Sequence, residues 1–274
     1  MCFFCSVTRA MQWVVAILLL LGLLENLPAR SQHTDDKACD GRGSFEEFPW
    51  TAQLLYDEDK SIKCTGSLIN SRYILTVAHC LKTRGTKLTG VRLGHTNHAR
   101  YGTVQEFSAE RVIPHPKFIR FSAANDIGLI RLSKPAQYSR HISPIYLPLS
   151  KNAPLADGAQ VASSGWGVLG YGEVQTEVKK KILSTLVSNE ICKKLYTNST
   201  KPVTSNHLCA TEGDTHACLG DSGAPLMYRR DNRWEQIGVL SFGLWCGSEY
   251  PTVYTNVAKY LDWIKQNSGL NKKK

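Results

Sequence analysis

The chain reads as an all-β protein that ends in one α-helix, and two observations carry that reading. From Pro49 onward, short apolar runs rich in β-branched residues alternate with turn residues. Only one stretch, close to the end, spaces its apolar residues at the period of a helix.

Taken in order, Ser67-Leu68-Ile69, Tyr73 to Val77, Thr103 to Phe107 and Ile127 to Leu132 read as strands. A Pro-containing connector, roughly Pro135 to Pro154, leads to a second set: Gln160 to Ser163, Ile182 to Leu186, Glu235 to Leu240 and Val253-Tyr254-Thr255. The helix follows, with Val257, Leu261 and Ile264 on one stripe beside Tyr260 and Trp263. Many short strands with a lone helix fit barrels or a sandwich, and periodicity does not choose between them.

Ahead of the strands, Arg9 precedes an apolar run from Trp13 to Leu24, and Pro28-Ala29 closes it with a small residue. This is the pattern of a signal peptide over 1–29. The run is shorter than the ~20 apolar residues a membrane span needs. The expectation is therefore an exported chain with no membrane anchor once the leader is removed. Residues 30–42 form a short polar, propeptide-like segment, 43–268 the folded domain and 269–274 a basic tail.

Cysteine usage agrees with export. Of nine cysteines, Cys2 and Cys5 leave with the leader, so seven remain. An odd number in an oxidising compartment leaves one thiol free, capped or joined to another chain. The formal net charge is +10, but Lys179-Lys180-Lys181, Lys193-Lys194, Arg229-Arg230 and Lys272-Lys273-Lys274 are scattered short clusters with no nucleic-acid motif beside them. They read as solvated surface charge, and a nucleic-acid partner is not expected.

Three segments carry chemistry. Leu75-Thr76-Val77-Ala78-His79-Cys80 places a histidine at the end of a strand, beside a cysteine. Asn125-Asp126-Ile127 opens a buried strand with an aspartate. Gly220-Asp221-Ser222-Gly223-Ala224-Pro225 sets a serine in a glycine loop. Each alone has a bland reading as a core histidine, a turn aspartate or a loop serine. Their order, His then Asp then Ser, favours a shared catalytic role over those separate readings.

With these segments, the chain from Phe48 to Ile264 resembles the chymotrypsin-like serine proteases. The likeness extends to Phe48-Pro49-Trp50, Thr65-Gly66-Ser67-Leu68-Ile69, Ser164-Gly165-Trp166-Gly167, Ser241-Phe242-Gly243 and Val253-Tyr254-Thr255. It implies two six-stranded antiparallel β-barrels with the active site between them. It also implies that Ser222 is the nucleophile, His79 its general base and Asp126 the orienting carboxylate. The N–H groups of Gly220 and Ser222 would form the oxyanion hole.

The same resemblance implies the bridges Cys64–Cys80, Cys192–Cys209 and Cys218–Cys246, and leaves Cys39 as the odd thiol. It implies protein or peptide substrates, macromolecular protease inhibitors as further partners, and no cofactor. His95-Thr96-Asn97-His98 lacks a thiolate or carboxylate cluster, and the acidic ligands of a calcium loop are missing, so no metal is expected. Asn198-Ser199-Thr200 is an acceptor for N-glycosylation.

Two departures stand out. Relatives are usually activated by a cut after a basic residue, and the new ammonium then pairs with the carboxylate that here is Asp221. The equivalent stretch is Lys37-Ala38-Cys39-Asp40-Gly41, without the usual apolar terminus. Cleavage after Lys37 would forfeit about 2.4 kcal/mol of burial relative to isoleucine. Cleavage after Arg42 would leave the terminus about 17 Å short. The specificity pocket departs too. Counting from Cys218 puts His216 on its floor, where tryptic relatives carry Asp; Gly243 keeps the mouth open and Thr252 replaces a wall glycine. Asp214 could enter the pocket if its loop bulges.

The readings are therefore a secreted endopeptidase with non-tryptic specificity, or a catalytically weak or silent homologue that acts as a binding or regulatory protein in an extracellular cascade. The resemblance points toward arthropod-type immune proteases, without the clip module those often carry.

Overall fold

A computed structural model of the chain describes residues 48–95, 104–151, 155–170, 175–176, 179–213, 215–244 and 246–270. All of these belong to one unit, Gly41–Lys274. The leader, the 30–42 segment, Cys39, His98, Asp214 and the last four residues of the basic tail lie outside the described residues.

Twelve antiparallel strands close into two six-stranded barrels. The first contains β1 (Thr51–Tyr56), β2 (Ser61–Asn70), β3 (Tyr73–Thr76), β4 (Leu88–Leu93), β5 (Gln105–Pro114) and β6 (Gly128–Leu132), in the order β1-β2-β3-β6-β5-β4. The second contains β7 (Gln160–Gly165), β8 (Lys180–Val187), β9 (His207–Glu212), β10 (Pro225–Arg230), β11 (Arg233–Phe242) and β12 (Thr252–Asn256). Its order, β7-β8-β9-β12-β11-β10, repeats the first. The choice between barrel and sandwich, open from periodicity alone, thus falls to two barrels. Closure leaves neither sheet with an unpaired edge.

Local chemistry explains the connections. Arg230 pairs with Arg233 across Asp231-Asn232, whose φ values of 46° and 64° make the two-residue turn that matches strand twist. Asn70 Oδ1 accepts from the Arg72 N–H and turns the chain from β2 into β3. The C-terminal segment is a 3₁₀ turn (Val257–Tyr260) running into α3 (Leu261–Ser268), with Val257, Leu261 and Ile264 buried as their spacing predicts. Two short helices carry no such periodic signal: α1 (Ala78–Leu81) and α2 (Asn189–Leu195). The second starts at Ser188, whose side chain accepts from the Ile191 N–H. None of the described helices is long and apolar enough to cross a membrane.

The barrels meet through buried polar bonds. Thr51 Oγ1 and Ser164 Oγ are 2.6 Å apart, and Ser67 Oγ donates to Gln236 Oε1 at 2.6 Å. Both Ser67 and Gln236 are fully buried, so neither group can fall back on water if its partner is lost. Ser67→Ala should therefore cost about 1–3 kcal/mol, because it strands the Gln236 carbonyl. Urea unfolding of the single variant and of Ser67→Ala with Gln236→Leu checks this. The double variant should recover part of the loss.

Candidate active site

The catalytic candidates are delivered by both barrels. His79 sits in α1, directly after β3, and the Cys64–Cys80 bridge ties that helix to β2. Asp126 immediately precedes Ile127 and β6, in a turn held by Asn125. That asparagine adopts φ 54°, a conformation its side chain tolerates, donates to Lys117 O and accepts from the Tyr260 hydroxyl. Ser222 lies in the loop before β10.

Asp126 is almost wholly buried. Its Oδ1 accepts from the His79 backbone N–H at 2.9 Å, and its Oδ2 lies 2.7 Å from His79 Nδ1. Ser241 Oγ, from the second barrel, donates to the same Oδ2 at 2.6 Å, and Thr255 Oγ1 donates to the Asp126 carbonyl at 2.7 Å. A carboxylate fixed by three donors holds the imidazole with Nδ1 turned inward and leaves the other ring nitrogen for the cleft. In the sequence Ser241 stands out only as part of a matching segment; its contact with Asp126 crosses the seam and cannot be read from spacing.

The serine loop is pinned from both sides. Ser222 O accepts from the Thr65 N–H at 2.8 Å, and the Gly223 N–H donates to Leu240 O. Gly223 has φ 86°, and a Cβ there would lie 2.2 Å from Thr65 O and from Thr76 Oγ1. Only glycine allows the loop this close to the first barrel. The N–H groups of Asp221 and Ala224 go to Cys218 O and Asp221 O. Among the described residues, neither the N–H of Gly220 nor that of Ser222 donates to a protein carbonyl.

His79, Asp126 and Ser222 line one cavity of about 320 Å³, together with Ala217, Gly243 and Thr252. His216 is not among its lining residues. Its ring instead packs over Gly247, with Nδ1 3.6 Å from Glu212 Oε2. The carboxylate behind the pocket wall is Glu212, which counting from Cys218 does not reach. Its Oε1 accepts from Thr252 Oγ1 at 2.7 Å and its Oε2 from the Ala217 N–H at 2.8 Å. Cys192–Cys209 and Cys218–Cys246 are bridged, as the resemblance implies. Cys64 and Cys80 lie near His79 but are joined to each other, so they offer a metal no thiolate. Asn198 is exposed in the turn after α2.

One member of a lysine cluster that reads as surface charge is buried. Lys180 Nζ sits 2.6 Å from Asp221 Oδ2, with side-chain exposures of 3% and 0%. Burial pushes the Asp221 carboxyl up, and Lys180, with the N–H groups of Cys218 and Gly167, opposes that push. Lys179, by contrast, donates to Phe48 O, and Lys181 lies over the Phe48 ring.

Two barrels with this constellation at their seam define the chymotrypsin-like fold. The family model described as Trypsin matches residues 41–264, and the chain belongs to that serine protease family. Phenoloxidase-activating factor 1 of Holotrichia diomphalia is 37% identical to it, over 85% of this chain and 70% of its own length. The CLIP domain-containing serine protease B10 of Anopheles gambiae is 38% identical, over 82% and 67%. Clotting factor G beta subunit of Tachypleus tridentatus is 33% identical, over 82% and 77%.

Burial also raises Glu212 above the usual glutamate value of 4.5, against the donors Thr252 and Ala217 and the nearby His216. Between 4.5 and the raised value the native state holds this proton more than the unfolded chain does, so stability falls as pH rises through that window. Glu212→Gln removes the slope. The variant should gain on the wild type from acid to neutral pH, by about 1.4 kcal/mol for each unit by which the value is raised. Thermal melts at several pH values measure the difference.

Proposed function

We propose that the chain is a secreted serine endopeptidase that cleaves a protein substrate in an extracellular cascade, through an acyl-enzyme formed on Ser222. The observation that carries this reading is the buried Asp126 carboxylate holding His79 in the cavity that Ser222 lines. A serine hydroxyl hardly ionises at neutral pH, and His79 would take its proton as it attacks the substrate carbonyl. Asp126 would stabilise the imidazolium that forms. The N–H groups of Gly220 and Ser222, uncommitted among the described residues, suit the developing oxyanion, where one donor is typically worth about 3 kcal/mol. His79 would then return its proton to the leaving amine. The relatives named for phenoloxidase activation and clotting support a place in a cascade. The leader over 1–29 supports export, and Asn198 is the proposed glycan acceptor.

For specificity we propose small or medium uncharged side chains. Thr252 narrows the cavity, and both oxygens of Glu212 already accept hydrogen bonds from the protein. Among the described residues, a substrate Lys or Arg would be desolvated without a free carboxylate to meet it.

Fluorophosphonate labelling tests the nucleophile. Ser222→Ala should abolish labelling and peptide cleavage with the fold intact, and His79→Ala should cost nearly as much, since the two act as a unit. Equal labelling of the serine variant would remove Ser222 from its role.

A peptide-library profile tests the pocket. Dominant cleavage after Lys or Arg would overturn the proposed preference and turn attention to Asp214 and Glu212.

A further inference from the structure

We infer that Lys180 is a positioning residue of this site: its ammonium, built into β8, holds Asp221 and the Gly220–Ser222 loop in working geometry without any cut in the chain. The inference rests on the protease reading above and concerns how that site is kept in order.

The register of β8 is the first observation. Lys180, Ile182, Ser184 and Leu186 are its buried positions, so Lys180 takes a place that the alternation reserves for the barrel interior. A lysine there must satisfy three donors away from water, and it does. Its Nζ donates to Asp221 Oδ2 at 2.6 Å, to Val168 O at 2.9 Å and to His216 O at 3.1 Å. These acceptors belong to three separate segments. Asp221 stands between Gly220 and Ser222, whose N–H groups are uncommitted among the described residues, Val168 follows the Trp166-Gly167 stretch, and His216 belongs to the loop beside the substrate cavity.

The carboxylate is cradled as closely. Its Oδ1 accepts from the Gly167 N–H and its Oδ2 from the Cys218 N–H. A Cβ on Gly167 would lie 2.4 Å from Oδ2, and one on Gly165 2.2 Å from Oδ1. Backbone therefore packs directly on the carboxylate, and one ammonium supplies the opposite charge within it. A buried ion pair is a poor device for stability alone, because desolvation offsets the attraction. It is a good device for fixing one arrangement of three loops, since losing either partner leaves a charge that the interior does not tolerate.

The sequence fits this assignment. In relatives of this kind the ammonium beside the equivalent carboxylate comes from a chain terminus made by cleavage, and the matching segment at Lys37 to Gly41 lacks the usual apolar terminus.

The test uses the full secreted chain, shown to be uncut by intact mass, and reads the rate of fluorophosphonate labelling before and after limited proteolysis. The uncut wild type should label at Ser222, with less than about a tenfold gain on cutting. Lys180→Met keeps the length of the side chain without its charge. It should lower the rate about a hundredfold or more, as expected when one partner of a buried pair is lost. Lys180→Arg should restore part of that rate, a rescue that depends on charge and not on packing. All rates are taken well below each variant's own melting temperature.

Wild type that labels only after cutting would overturn the inference while leaving the protease reading in place. Wild-type labelling by uncut Lys180→Met would do the same. If neither cut nor uncut wild type labels, the protease reading fails and the inference fails with it. Should Lys180→Met not fold, the comparison of cut with uncut wild type decides alone.

Discussion

The buried carboxylate of Asp126 is the constraint on which the site depends. It sits where the two barrels meet, and each barrel supplies it with donors, His79 from the first and Ser241 from the second, while Thr255 of the second holds the Asp126 backbone carbonyl. A desolvated anion tolerates little displacement from its donors, so the barrels cannot slide without exposing or orphaning it. The fixed relation between barrels in turn brings the loop of Ser222, carried by the second, against Thr65 and Thr76 of the first. The contact that orients the imidazole and the contact that places the serine are thus two results of one alignment.

Much of this arrangement is legible in the sequence because the chemistry demands particular residue types in short local contexts. The histidine after a strand, the aspartate before one and the serine in a glycine loop are all of that kind. Eight of the strands show through their β-branched runs and turn residues. Barrel closure does not, because pairing partners lie far apart in the chain and alternation is the same in a sandwich. The helix α2 is hidden for a different reason: seven residues capped by Ser188 are too few for an apolar stripe to show.

Lys180 and Glu212 are invisible for reasons of register. Lys180 stands in a run of three lysines, and a charge run ordinarily marks a solvated face. Extending the alternation of Ile182, Ser184 and Leu186 back by two residues places it inside. Glu212 ends β9, and the loop between it and Cys218 returns its carboxylate to Thr252 and Ala217. Counting residues back from a cysteine cannot anticipate such a return, so the count stops at His216.

The cation beneath the serine loop also bears on control. A terminus made by cutting exists only after another protease has acted, and it records that event. A lysine in a strand is in place as soon as the second barrel closes, so on the inference drawn above folding itself would complete the site. Such a chain would carry no memory of an upstream signal. On that inference its activity would be set by when it is made and where it is released, and it would behave as a standing supply of enzyme more than as a relay.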